Sequence, residues 1–351
     1  MSRRNMMRAV ALLCGFLAVS NLAFGQGAST TGTTSANFTN VGASGSVFTK
    51  IWVGARASGM AGAYSGLADD ISSLYWNPAG IARLPGINVE ATHTIWFADI
   101  SHEFIGMSMP ISDRYRLGAA LTLVDYGSLA YSTIQNDANA GTFNANDLSF
   151  ALTLAGALTD RFSYGATVKY LRSAILDMAA DGFAFDAGSL YQTDFYHMRI
   201  SMDLANLGSD RNFTGNSLSV LINNGSGVNQ KSTPLSSDLR TANFALPLIF
   251  RIGAATDIFQ GNVENQKLNV DFDFSTHSDG PEQFNLGGEY IYNDMAAFRL
   301  GYAFNQDQLG LGAGAGYHYK SEDFSGTVDY SINLTRALGS IHRISLSATF
   351  Q

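Results

Sequence analysis

From Gly86 to the C-terminus, apolar and polar residues alternate in segments of about ten. Gln266–Ser275 is the cleanest: Leu268, Val270, Phe272 and Phe274 fall on one face, and Lys267, Asn269, Asp271 and Asp273 on the other. A period of two is the signature of a β-strand with two different surfaces. Phe324–Ile332, Phe162–Tyr170 and Phe244–Ala254 repeat it. About fourteen such segments are expected, starting near Gly86, Ser101, Tyr115, Asp147, Phe162, Phe183, His197, Asn243, Gln266, Pro281, Met295, Leu309, Glu322 and Ser340. Short polar connections (Ser112–Arg114, Thr159–Arg161, Asn293–Asp294, Lys320–Ser321) alternate with a set that includes long ones, Tyr126–Asn146 and Gly208–Ala242. Asp257–Asn265 is long on the short-turn side, and Asn305–Gln308 is short on the other. Short turns at one end and longer loops at the other are the layout of an outer-membrane barrel.

A soluble sandwich also alternates, so the placement of charge carries weight. Arg116, Lys169, Asp186, Arg199, Asp203, Arg251, Asp271, Asp273, Glu289, Arg299, Asp329 and Arg343 all fall on the polar faces, and only Arg172 and Asp125, near segment ends, break the rule. A lipid-facing Arg or Lys costs about 2–4 kcal/mol at the bilayer midplane and little near the surface. Arg251, Asp271, Asp273, Glu289 and Arg299 then become a candidate charge network in the lumen, read as a wall-stiffening set of ion pairs in preference to a substrate track.

Leu309–Tyr319, LGLGAGAGYHY, has glycine at every second position. The run fits GxGxxA, but no helix start follows it, so a dinucleotide loop is excluded on context. As a strand it sets Leu309, Leu311, Ala313, Ala315, Tyr317 and Tyr319 against Gly310, Gly312, Gly314, Gly316 and His318. Inward glycines either leave room for another backbone or a ligand, or serve the taper and curvature of the wall.

The N-terminus changes the compartment. Met1–Arg8 is basic, Ala9–Val19 is apolar, and Ala23-Phe24-Gly25 supplies small residues, the pattern of a signal peptide over 1–25. Loss of Arg3, Arg4 and Arg8 from 21 basic residues leaves 18 against 29 acidic ones, a net charge of −11. An acidic exported chain is a poor partner for nucleic acid. The one cysteine, Cys14, lies in the signal, so neither disulfides nor thiol chemistry are expected. Residues 26–85 form a Gly/Ser/Thr-rich lead followed by a small-residue segment, Ile51–Pro85, in which Asp69 or Asp70 can cap a short helix that Pro78 ends. The barrel takes 86–351. A bore of about fourteen strands is too wide for wall side chains to fill, since eight is near that limit, and Ile51–Pro85 has the character of a plug.

The stretch Ala57–Ala82, ASGMAGAYSGLADDISSLYWNPAGIA, resembles the N-terminal segment of the PorV/PorQ family of FadL-like barrels; Leu246–Ala255, Phe284–Tyr292 and Phe298–Phe304 look like that family's later strands. The resemblance implies a fourteen-stranded antiparallel barrel in an outer membrane with a hatch in its lumen. It makes Asp69, Asp70, Asn77, Pro78, Ala79 and Gly80 the hatch motif. Three roles stay open. One is binding or passage of hydrophobic molecules of a fatty-acid-like kind. The second is service as an outer-membrane component of a type IX secretion system, with secretion proteins as partners. The third is a structural barrel that transports nothing. Beyond these, the expected partner is outer-membrane lipid.

No enzyme chemistry is expected. The six histidines have no zinc-type spacing, there is no phosphate loop and no Gly-x-Ser-x-Gly elbow, and neither metal nor cofactor is called for. Ser340 and His342 share a face at i, i+2, which suits an embedded lipid hydrolase only if a third orienting group joins them.

Overall fold

The computed structural model describes residues 42–133, 136–222, 235–306 and 308–350. The expected signal peptide and most of the lead segment lie outside them. Seven barrel strands precede the long connection: β1 (Ile87–Ile95), β2 (Ser101–Pro110), β3 (Tyr115–Thr133), β4 (Asn136–Ala157), β5 (Phe162–Ile175), β6 (Met178–Gln192) and β7 (Arg199–Gly208). Seven follow it: β8 (Ile249–Asp257), β9 (Gln266–His277), β10 (Gly280–Tyr292), β11 (Ala296–Phe304), β12 (Leu309–Lys320), β13 (Phe324–Thr335) and β14 (Ser340–Phe350). Each pairs antiparallel with its neighbours in sequence, and β14 pairs with β1 from Ile87↔Phe350 to Ile95↔His342. The sheet is therefore closed, with no strand edge left to hydrocarbon, where an unpaired backbone group costs several kcal/mol.

The alternation in the sequence is the inside–outside alternation of the wall. Along β11, Ala297, Arg299, Gly301 and Ala303 are buried, while Phe298, Leu300, Tyr302 and Phe304 are exposed. Every strand charge assigned above to a polar face faces the lumen, buried or half-buried. Arg172 is exposed and pairs with Asp181 at 3.1 Å.

The expected loop Tyr126–Asn146 is not a loop. β3 and β4 continue their ladder through Ser128↔Asn144 and Tyr131↔Gly141, with register shifts between Asp125 and Ser128 and again between Tyr131 and Thr133. At 19 and 22 residues these strands run well past the nine to eleven that suffice to span. The extension is polar because it is a hairpin whose backbone pairs with itself. Leu129 and Tyr131 still alternate with Ser128, Ala130 and Ser132. The connection from Gly208 to Ala242 carries short paired pieces: Thr214–Gly215 on the end of β6, and Ser219–Ile222 against Leu235–Asp238.

Inside the ring lie residues 47–85, in four short helical turns: Val47–Lys50, Ala55–Gly59, Ser73–Trp76 and Pro78–Arg83. They supply about half of the buried apolar residues. One cluster joins Trp52, Met60, Tyr64, Leu67 and Trp76 to wall residues Ala255 and Ala303; another joins Val53, Ile71, Leu74 and Ile81 to Phe104, Ala120, Ala151 and Ala155. The core of this molecule is the contact between plug and wall.

Candidate functional site: the hatch and the wall that holds it

The hatch motif is built locally. Asp70 Oδ1 accepts the amide of Ser72 at 2.9 Å and its hydroxyl at 2.6 Å, which fixes the entry to the helix Ser73–Trp76. Asn77 is extended at φ −163°, as a residue before proline prefers. Its Oδ1 then caps the next turn by accepting from Ala79 N at 3.0 Å, with Pro78 at the first helical position, where its missing N–H costs nothing. Asn77 Nδ2 also donates to the Ser189 carbonyl of β6 at 3.1 Å, so one side chain both shapes the hatch and ties it to the wall. Gly80 is required by contact: a Cβ there would overlap the Ala68 carbonyl. Asn77→Ala is expected to cost about 1 kcal/mol, the usual loss for a cap, plus the wall bond; thermal unfolding of the purified protein measures it.

Glycines of the wall let hatch backbone approach. A Cβ at Gly165 would lie 2.5 Å from the Pro78 carbonyl, one at Gly287 would lie 2.6 Å from Met60 O, and one at Gly312 would lie 2.7 Å from Ser58 O. Gly314 packs against Gly59 of the same turn, and Gly316 faces the Arg299–Asp329 pair. On the strand Leu309–Tyr319, Gly312 and Gly314 are the positions at which hatch backbone comes this close. Gly310 differs from the others. A register irregularity between Leu309 and Gly312 turns the strand over, so a Cβ on Gly310 would meet only the outward Tyr302 ring, while Leu309 packs with the inner cluster.

The five predicted lumen charges do not form one network, because the hatch comes between them. Glu289 and Arg299 meet at 2.8 Å, and Arg299 reaches Asp329 at 2.6 Å. Glu289 also receives a two-pronged bond from Arg56 of the hatch, 2.8 Å on each oxygen, and Asn269 Nδ2 at 3.0 Å. Arg56 reaches Asp69 at 2.6 Å and Asp70 at 3.3 Å, and Arg199 reaches Asp69 at 3.2 Å. Asp271 and Asp273 hold backbone instead: Leu67 N donates to Asp271, and Tyr64 N and Ser65 N to Asp273, each at 2.8 Å. Arg251 turns away to Asp203 at 2.7 Å and lies over the Tyr75 and Trp76 rings. Burial alone would raise the Asp69 carboxyl, but Arg56 and Arg199 outweigh it and hold it below the ordinary range. Burial opposes the charge on Arg56 as well, and Asp69 and Glu289 hold its guanidinium well above its ordinary value.

Arg56 is the centre of this latch, and reading the sequence for a motif passes over it. A signal was present: it is the one charged residue between Ile51 and Ala68. Asp329, Asp203 and the Lys169–Asp186 pair at 2.7 Å also face the lumen.

Two small voids lie between hatch and wall. One void of about 30 Å³ lies between hatch residues Ile51, Leu74 and Tyr75 and wall residues His102, Phe104 and Lys169; another of about 20 Å³ lies by Trp52 and Arg251. Each has room for a water or two, against the ~300 Å³ or more of a small-molecule site.

The model of the type IX secretion system protein PorV matches residues 34–275. The chain belongs to the PorV family. It is an outer-membrane barrel, and no curated protein matches its sequence. Among solved structures this PorV-family chain is similar to the monoaromatic hydrocarbon channel CymD, at 15% identity, a TM-score of 0.58, and coverage of 85% of this chain and 97% of that one. The Pseudomonas putida toluene transporter TodX follows at 14% and 0.51, covering 84% and 96%. A Pseudomonas aeruginosa FadL homologue stands at 14% and 0.50, covering 85% and 98%. At these identities the likeness is one of fold.

Ser340 Oγ lies 2.8 Å from His342 Nε2, and Tyr330 Oη lies 2.7 Å from Nδ1. The pair therefore exists on the outer face. Its third member is a phenol, which brings no negative charge to steady an imidazolium as a carboxylate does. Among the described residues, no group of three or more His, Cys, Asp or Glu is placed to hold a metal.

Proposed function

We propose that this barrel serves a type IX secretion machine as an outer-membrane component whose lumen stays shut, the hatch acting as a closure built into the wall. The observation that carries this is the filling of the bore. Hatch backbone meets wall glycines without intervening side chains, Asp271 and Asp273 hold it by its amides, and Arg56 clamps it to Glu289. The two voids described between hatch and wall are water-sized. Cargo or partner proteins then engage the ends of the barrel, and the lipid-facing wall anchors it. Deletion of the gene is expected to leave exported proteins in the periplasm; an unchanged set of surface and medium proteins would remove the proposal.

A second reading has its own support. Asp69 is 41% exposed and Asp70 24%, so the Arg56 latch is reachable from a mouth of the barrel. A ligand that competes for Arg56 could loosen the hatch and admit hydrophobic molecules of the fatty-acid class. Locking the hatch separates the two. Ser65 Oγ and Ser201 Oγ are 2.8 Å apart across the hatch–wall contact, so Ser65→Cys with Ser201→Cys offers a disulfide. Secretion that persists in the oxidised double variant, and is the same after reduction, supports the sealed closure. Loss of labelled fatty-acid uptake on oxidation, restored by reductant, supports passage. A deletion strain normal in both secretion and uptake would leave the structural barrel.

A further inference from the structure

One patch of the outer wall departs from the apolar pattern. His93 of β1 and Glu103 of β2 share a rung and both point outward, 49% and 41% exposed. His93 Nδ1 donates to Glu103 Oε1 at 2.6 Å, and among the described residues neither side chain makes another hydrogen bond. The same rung continues through Ile344 of β14 to Tyr330 of β13, and Tyr330, His342 and Ser340 form a second outward polar chain. Two imidazoles, a carboxylate, a phenol and a hydroxyl thus share the outer face of four neighbouring strands, two on each side of the seam where the ring closes.

Glu103 is an outward charge, as Arg172 and Asp125 are, but at a different depth. β1 and β2 have nine and ten residues, no more than a strand needs to cross the bilayer, so their outward side chains meet hydrocarbon along the whole length. β5 has fourteen, and Arg172 stands near its outer end; Asp125 pairs with Ser101, the first residue of β2. His93 lies six residues from Ile87, whose partner Phe350 packs on Phe324 in an aromatic girdle. That places the pair roughly 15 Å up an apolar band about 25 Å tall. Ile95 above it and Ile105 and Met107 below it are exposed. Ionisable groups at such depth pair with protein or line water, and a carboxylate oxygen left bare in hydrocarbon is costly. The patch needs a polar cover from outside the ring.

We propose that this cover is a second copy of the chain, packed wall to wall about a two-fold axis that runs along the membrane normal between β1 and β2. The patch is its own complement: one donor and one acceptor stand side by side on one rung. Rotation about such an axis preserves depth and exchanges left for right. It therefore sets His93 against the partner subunit's Glu103, and Glu103 against the partner subunit's His93. Neighbours on one rung differ in height by roughly 3 Å at the tilt of a barrel strand, within reach of these side chains. One rung down, the same rotation sets Ala91 against the partner subunit's Ile105, small against large. Both mouths of the barrel stay uncovered, so the contact does not rest on the role proposed for the hatch.

Thiol cross-linking of the full chain in native outer membranes tests this. Ala91→Cys presents a thiol on the outer face one rung below the pair, and Ala254→Cys presents one on the outer face of β8, across the ring. Cys14, the one cysteine of the chain, is changed to serine in both. With a short bis-maleimide, Ala91→Cys is expected to give a product of twice the chain's mass and Ala254→Cys none. Adding His93→Leu and Glu103→Leu to Ala91→Cys should lower that yield by about tenfold, the effect of losing a bond to a charged group. If the pair faces lipid alone, the two leucines instead raise the melting temperature of the purified barrel and leave the cross-linking pattern unchanged. No product at Ala91→Cys, a product whose mass shows a different partner, equal yields at the two cysteine positions, or a yield untouched by the leucines would each overturn the contact.

Discussion

Glu289→Ala is expected to destabilise the folded barrel by about 3–5 kcal/mol, the usual cost of removing one partner from a buried ion pair. Glu289 is fully buried and is the common acceptor of Arg56 from the hatch and Arg299 from β11. Without it two guanidinium groups face each other across the lumen, with Asp69, Asp70 and Asp329 left to hold them. The variant should unfold at lower temperature, seen as an earlier loss of the fast-migrating folded band on heating, and proteolysis should cut within residues 51–85 before it cuts the wall. Pairing Glu289→Leu with Arg56→Met tests the cause. Arg299 keeps Asp329, Asp69 keeps Arg199 and the half-exposed Asp70 keeps its bonds to Ser72, so most of the loss should return, since buried pairs exchange for apolar groups at little cost. A double variant as weak as Glu289→Ala would show that shape, not charge, governs the site.

Adjacent glycines on β10 should give opposite results. A Cβ at Gly287 points inward and would sit 2.6 Å from Met60 O and 2.7 Å from Met60 Cβ; a Cβ at Gly288 points outward and finds its nearest neighbour 3.8 Å away. Gly287→Ala is therefore expected to cost about 1–3 kcal/mol, as overpacking does, and to push the Ala55–Gly59 turn off the wall. Conductance in planar bilayers should rise as the hatch loosens. Gly288→Ala should leave both stability and conductance near wild type. Equal behaviour of the two would mean that Met60 gives way freely, and the hatch would then be a loose lodger in the bore.

The contrast between those glycines is the same contrast that made the barrel legible in the sequence. Alternation told inside from outside because lipid and a packed lumen demand opposite residues, and it placed Asp271 and Asp273 on the lumen side, where both are buried. The partners of those charges were not legible. Glu289 and Arg299 lie ten residues apart in sequence and meet by strand register, but Arg56 reaches Glu289 from 233 residues away. No local pattern encodes that. The bulge at Leu309–Gly312 also escaped, because a one-residue slip reverses the faces while leaving the composition of the strand untouched. Tyr126–Asn146 read as a loop because asparagine, glycine and serine interrupt the alternation there, although its backbone pairing continues. Arg343 read as an ordinary member of a polar face, and only the structure shows that its partners are the Trp52 carbonyl and Asn333 Oδ1.

The last strand does two jobs. It zips onto β1 to complete the ring, and it also touches the hatch, with Ser345 Oγ accepting from Ala55 N at 2.8 Å and Arg343 donating to the Trp52 carbonyl. The hatch leads directly into the strand at which the ring closes. Assembly must therefore seat the N-terminal segment before, or together with, the arrival of the C-terminal strand, because afterwards there is no open seam for it to enter. A chain shortened at its C-terminus would lose the ring and the anchorage of its stopper in the same step.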